Sequence, residues 1–212
     1  MILEFHAAIF DLDGVIVDTA KYHYLAWKRL AQSLGFDFSE SQNERLKGVS
    51  RARSLEILLE IGGIQANAAQ QEEMAAQKNA WYVEYIQLLK HDEILPGVLD
   101  YLRQVRARGI RTAIGSASKN TLMILEKLDI VPLFDAVIDG NLVTHAKPDP
   151  EVFQRAAEAL QVPARECIVF EDATAGIQAA LSAGMGAVGI GNPGALQQAD
   201  VVVSGLWQLA LL

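Results

Sequence analysis

The apolar and polar positions divide the chain into two textures. Ala7, Ala8, Ile9 and Phe10 form a short apolar run that stops at Asp11, Asp13 and Gly14; this predicts a buried strand that ends in two carboxylates. From Tyr22 to Leu34 apolar residues recur at Leu25, Leu30, Ala31 and Leu34 and the pattern stops at Gly35, which predicts a helix with its stop signal. Helical character continues to about His91, through Ser54–Ile61, the Gly62-Gly63 break and a Gln/Ala/Glu-rich run around Ala68–Lys78, with no strand-like run. A long helical stretch between the first strand and the next predicts an inserted α-helical domain.

After Leu95-Pro96-Gly97 the texture changes to alternation. Helix Val98–Arg108 closes at Gly109, strand Arg111–Gly115 ends at Ser116, and helix Asn120–Leu128 and strand Ala136–Ile138 follow. Helix Pro150–Leu160, strand Cys167–Phe170, helix Ala173–Ala183 closed by Gly184, and strands Ala187–Ile190 and Val201–Val203 complete the series. Such alternation predicts an α/β fold with a doubly wound parallel sheet.

Polar groups stand where these strands give out: Asp11 and Asp13, Ser116, Glu171 and Asp172, with Lys147 ahead of Pro148 on the way into a helix. Each alone has a plainer reading, Ser116 and the Glu171-Asp172 pair as helix caps and Lys147 as a solvated loop charge. Parallel strands bring their ends side by side, however, and ligands of open α/β sheets bind in that crevice. Carboxylates crowded there repel unless a cation is shared, and an all-oxygen set suits Mg²⁺. The set fits phosphoryl transfer. Asp11 can attack phosphorus, Lys147 and Ser116 can hold the phosphoryl oxygens, and Asp13 can shuttle the hydroxyl proton.

Composition narrows the partners. The chain has 212 residues, 51% hydrophobic and 21% charged, with a net charge of −8, so its overall field repels nucleic acid and anionic membranes. The single Cys167 lies in an apolar run, where a buried inert thiol is the reading, and one cysteine fits a reducing cytoplasm. MILEFH carries no basic segment ahead of a long apolar stretch, and no apolar run reaches the roughly 20 residues of a membrane span. A cytoplasmic monomer is expected.

DLDGV, Ser116, Lys147-Pro148 and Glu171-Asp172, in that order, resemble the four motifs of the haloacid dehalogenase superfamily, and the helical insert resembles the cap of its subfamily I members. The likeness covers essentially the whole chain. It implies a Rossmann-like core of residues 1–17 and 93–212 with an α-helical cap of residues 18–92. It also implies Asp11 as nucleophile, Asp13 as general acid/base, and Mg²⁺ held by the Asp11 carboxylate, the Asp13 carbonyl and Asp172, with Glu171 close by or direct. Phe10–Trp27, Leu46–Arg51, Lys78–Val83, Ser116–Asn120 and Glu171–Ala179 are similar, more finely, to the β-phosphoglucomutase family.

That finer resemblance implies interconversion of β-glucose 1-phosphate and glucose 6-phosphate through an aspartyl phosphate and a glucose 1,6-bisphosphate intermediate. Thr19, His23 and Lys78 are implied to control the acid/base, and Lys47, Gly48, Val49 and Ser50 to contact the sugar. Arg51, Ser118, Lys119 and Asn120 are implied to grip the phosphate that is not transferred, with Trp27 and Ala117 also in the binding set. A bisphosphate independently calls for cations on both sides of the sugar, and Lys47 and Arg51 are placed to supply them. The Lys47–Arg51 pair also reads as a solvated helix start, and His23 as a surface residue. His145-Ala146 and Ala173 depart from the family's pattern beside the phosphate. A sugar-phosphate phosphatase on the same scaffold and a non-catalytic phosphosugar-binding protein are the other readings.

Overall fold

The structure, a computed structural model, describes residues 5–46 and 49–209. Six strands, β1 (Ala7–Phe10), β2 (Arg111–Gly115), β3 (Ala136–Ile138), β4 (Cys167–Glu171), β5 (Gly186–Ile190) and β6 (Val201–Val203), form one sheet of order β3-β2-β1-β4-β5-β6. Every pairing is parallel. All four residues of β1 are fully buried, because the crossover helices of a parallel sheet cover both its faces.

Alternation along β1 sends its side chains to two separate cores. Ala8 and Phe10 pack with residues of α5 (Val98–Ala107) and α6 (Thr121–Lys127), whereas Ala7 and Ile9 pack with α7 (Glu151–Leu160) and α8 (Thr174–Ser182). Phe10 stacks on Phe170 with ring centroids 4.7 Å apart and meets the edge of Tyr101 at 6.2 Å. Phe10→Ala at such a site costs about 3–5 kcal/mol, so the strand that carries the first carboxylate is anchored immediately before it.

Between β1 and β2 lie α1 (Ala20–Ser33), α2 (Glu40–Asn43), α3 (Arg51–Gly62) and α4 (Ala68–Ile86). Trp27, Leu30, Phe38, Leu55 and Leu58 form an apolar cluster of their own among these helices. α1 begins two residues ahead of the sequence expectation, since Ala20 and Lys21 favour helix but add nothing to the apolar period. α2 escaped the pattern altogether. It is one turn held by a reciprocal cap: the Ser39 N–H donates to Gln42 Oε1 at 2.8 Å and the Gln42 N–H to Ser39 Oγ at 3.4 Å. α4 starts with the same device at Asn67 and Gln70.

The chain passes between sheet and inserted helices twice, and the two crossings lie side by side. Val17 bridges Ile94 in antiparallel fashion, and the Leu95 N–H donates to the Ile16 carbonyl at 2.9 Å. The Glu93 carboxylate then accepts from the Tyr22 hydroxyl at 2.7 Å and pairs with Lys21 at 2.8 Å, tying the second crossing to the start of α1.

Candidate active site

Register sets the floor of the site. Phe10 is level with Ile114 on one side and Phe170 on the other, so the polar residues that follow in each strand emerge together at the carboxyl edge. The Asp11 N–H continues the ladder to the Phe170 carbonyl at 2.9 Å, and the Ser116 N–H donates to the Ile138 carbonyl at 3.0 Å.

Lys147 reaches this edge from the loop ahead of α7. Its side chain is 1% exposed, and Nζ donates to Asp11 Oδ1 at 2.6 Å and to Glu171 Oε2 at 2.8 Å. Burial works against the ammonium, but Asp11 and Glu171 together outweigh it and hold its pKa above that of an ordinary lysine. Glu171 is fully buried; burial, then Asp11, raise its carboxyl above the usual range, and the second oxygen accepts the Ala173 N–H at 3.1 Å. A side chain at Gly176 would collide with that carboxylate. Glycine there is what lets α8 lie close to Glu171.

Carboxylate oxygens of Asp11, Glu171 and Asp172 lie within 4.8 Å of one another. Gly14, at φ +80°, leaves the space that Asp172 occupies: a Cβ there would land on its carboxylate. Three hard oxygen donors and a cradle kept open by a left-handed glycine fit a divalent cation. The Asp13 carboxylate is not one of the three.

Asp13 instead faces the inserted helices. Of its side chain 28% reaches open space, yet protein surrounds it, and burial followed by the Asp11 charge pushes its carboxyl up to about 8. His23 Nε2 stands 3.8 Å from Asp13 Oδ2, and its Nδ1 is 2.9 Å from Lys78 Nζ. Burial, then the Lys78 and Arg51 charges, hold the imidazole well below its ordinary pKa, so the ring is neutral. Burial, then the Arg51 charge, hold the Lys78 pKa well below that of an ordinary lysine; a Lys78 that donates to Nδ1 leaves the ring proton on Nε2, on the side of Asp13. Lys78 is 1% exposed. It is held by the ring of Trp27 at 4.5 Å and that of Tyr82 at 4.8 Å, and Tyr82 also stacks on His23 at 4.0 Å.

One cavity of about 670 Å³ spans these groups. Asp11, Asp13, Ser116, Lys147 and Asp172 line it, together with His23, Trp27 and Lys78 and with Val49, Ser50, Arg51, Ala117, Ser118, Lys119 and Asn120. Ser50 also caps α3, its Oγ accepting the Arg53 N–H at 3.3 Å. The loop after β2 is shaped by its own hydroxyls: Ser116 Oγ accepts the Ser118 N–H at 3.1 Å and Ser118 Oγ the Asn120 N–H at 3.2 Å. Thr19 is fully buried at the start of α1 and does not line the cavity, and Lys47 and Gly48 lie outside the described residues.

A haloacid dehalogenase-like hydrolase family model matches residues 5–184. The chain belongs to that family. It is 43% identical to the β-phosphoglucomutase of Bacillus subtilis over 93% of this chain and 88% of the relative, which places it in the β-phosphoglucomutase branch. A phosphorylated carbohydrates phosphatase of Thermotoga maritima is 34% identical over 84% of this chain and 82% of its own length. The crystal structure of the Clostridium difficile β-phosphoglucomutase superposes with a TM-score of 0.93 at 42% identity, covering 97% of this chain and 93% of that one. Membership implies a divalent metal and a phosphosugar substrate. Two residues of this haloacid dehalogenase-like site lay beyond reading from the sequence. Tyr82 sits one helical turn after Lys78, a spacing that places both on one face of α4, and Asn79 reaches the core loop from the inserted helices.

Proposed function

We propose that the protein is a Mg²⁺-dependent isomerase that interconverts β-D-glucose 1-phosphate and glucose 6-phosphate through an aspartyl phosphate at Asp11 and a β-glucose 1,6-bisphosphate intermediate. One observation carries this reading above the others: Arg51 and Lys119 line the same cavity as the Asp11–Lys147 pair, so a single cavity offers cations besides the one paired with Asp11, as a sugar with two phosphates requires. Residues 18–92 act as the cap and residues 1–17 with 93–212 as the core, in keeping with the separate apolar cluster of the inserted helices.

Asp11, Glu171 and Asp172, with the Asp13 carbonyl, are the groups that would hold Mg²⁺, which when bound offsets the charge of phosphate and carboxylates. Asp11 is the nucleophile. Lys147 keeps its oxygen oriented and, buried itself, gives the transferring phosphoryl group a fixed positive neighbour. The raised pKa of Asp13 keeps its proton at neutral pH, so it protonates a leaving oxygen and, once ionised, accepts the proton of the sugar hydroxyl that attacks the aspartyl phosphate. His23, held by Lys78 at Nδ1, places Nε2 toward that carboxylate. Ser118, Lys119, Asn120 and Arg51 hold the other phosphate, and Val49 and Ser50 lie along the sugar. His23, which faces Asp13, and Lys78, which holds His23, both come from the inserted helices, so acid/base competence depends on those helices lying over the core, which also excludes water.

The test is phosphorus NMR of β-glucose 1-phosphate with Mg²⁺ and a trace of glucose 1,6-bisphosphate. Glucose 6-phosphate should accumulate with little inorganic phosphate. Stoichiometric release of inorganic phosphate would make water the acceptor and the protein a phosphatase.

A further inference from the structure

Two consecutive residues of α4 reach different parts of the site. Lys78 bonds to His23 at 2.9 Å, and Asn79 Oδ1 accepts the side-chain amide of Asn120 at 2.9 Å. Asn120 belongs to the loop after β2, immediately before α6, where its side chain is free to serve as a helix cap but makes no such bond. Its amide is directed across the cleft to the inserted helices instead. The backbone of the same loop is held from below: the Gly140 N–H donates to the Ser118 carbonyl at 3.1 Å, the Asn141 amide to the Lys119 carbonyl at 3.0 Å, and the Thr121 hydroxyl to the Ser118 carbonyl at 2.9 Å. A loop fixed to the core thus extends one side chain to α4, one residue away from the lysine that orients His23 toward Asp13.

We infer that Asn79 is a positioning residue: its bond to Asn120 latches α4 over the core and couples the loop that holds the non-transferred phosphate to the Lys78–His23–Asp13 series. The inference rests on the mutase reading above and deepens it. A phosphate seated at Ser118–Asn120 orders the loop and keeps the Asn120 amide aimed at α4. With α4 held down, Lys78 keeps His23 against Asp13 and less water reaches the cavity. When the loop is empty, the latch is weaker, and Asp13 loses its partners before water can be activated productively against the aspartyl phosphate. Asn79 touches neither substrate nor reacting atoms; it acts through Asn120 on one side and through its neighbour Lys78 on the other.

Asn79→Ala tests this. Alanine is a better helix former than asparagine and the position is half-buried, so the helix and the thermal midpoint are retained. One neutral hydrogen bond between partly exposed groups shifts an equilibrium roughly threefold to tenfold. In the phosphorus NMR experiment the ratio of inorganic phosphate to glucose 6-phosphate should rise by that factor, while KM for β-glucose 1-phosphate rises by no more than the same factor, because the variant removes no substrate contact and gives up only the coupling between latch and loop. In an Asn120→Ala background the same substitution should add nothing, since the bond is already gone. An unchanged ratio in Asn79→Ala overturns the inference, as does an equal rise in both backgrounds. Wild-type protein that yields only inorganic phosphate overturns the mutase reading itself, before any variant is compared.

Discussion

Replacing Lys147 by methionine keeps an unbranched stem of similar length and removes the ammonium from between two carboxylates. Both of its bonds are short, 2.6 Å to Asp11 and 2.8 Å to Glu171, and its side chain is 1% exposed. Removing one partner of a buried ion pair costs about 3–5 kcal/mol, because the remaining charge is left uncompensated. For a chain of this length each kcal/mol moves the thermal midpoint by roughly 2–4 °C, so Lys147→Met should melt about 6–20 °C below wild type in chelator. A divalent cation supplies positive charge to the same carboxylates, so added Mg²⁺ should raise the midpoint of the variant more than that of wild type. Turnover should fall by at least about 10²-fold, the usual cost of deleting one fixed donor at developing charge. Calorimetric scans with chelator and with Mg²⁺ read the first two effects. A midpoint within about 2 °C of wild type in chelator would refute the reasoning, since it would mean that the carboxylates do not depend on the lysine.

Two further outcomes follow from ionisable groups away from the catalytic edge. The His145 N–H, with Arg155 and the Thr144 N–H, holds the Glu151 carboxyl down to about 2 from 4.5; a depressed folded pKa gives stability that is present above pH 4.5 and lost as pH falls toward 2. Glu151→Gln should therefore melt below wild type near neutral pH, with the gap closing over that acid window, and a gap that persists at about pH 2 would sink the assignment. Burial, then Glu166, pushes the Cys167 thiol up to about 11. An aromatic disulfide reagent at mildly alkaline pH should label it only as fast as the protein opens, and rapid stoichiometric labelling of folded protein would contradict its placement in the core.

What could be read from the sequence and what could not separate along a physical line. Each strand of a parallel sheet is buried on both faces and so appears as an apolar run, and the residue that ends the run stands at the carboxyl edge whatever the rest of the chain does. Asp11, Ser116, Glu171 and Asp172 were legible for that reason, because topology alone brings them together. Lys147 was legible only in company: a loop lysine becomes a buried cation once the carboxylates it must neutralise have been placed.

The inserted helices carry no such rule. Lys78 stands in Ala-Gln-Lys-Asn, a stretch that reads as a solvated helix face, yet it is 1% exposed because Trp27, Tyr82 and His23 enclose it. Which face of α4 meets the cleft is decided by α1 and by the loop after β2, whose residues are tens of positions away in sequence, and helical periodicity in α4 itself is too weak to say so. For His23, Trp27 and Lys78 the family resemblance supplied what local pattern lacked. It did not supply Asn79. A side-chain amide that bonds another across a cleft leaves no periodic or compositional trace, since either asparagine alone is an ordinary surface residue. The chemistry fixed by the sheet can thus be read one strand at a time, whereas the coupling of cap to core exists only in pairs such as Asn79 with Asn120, and pairs become visible only when both members have been placed in space.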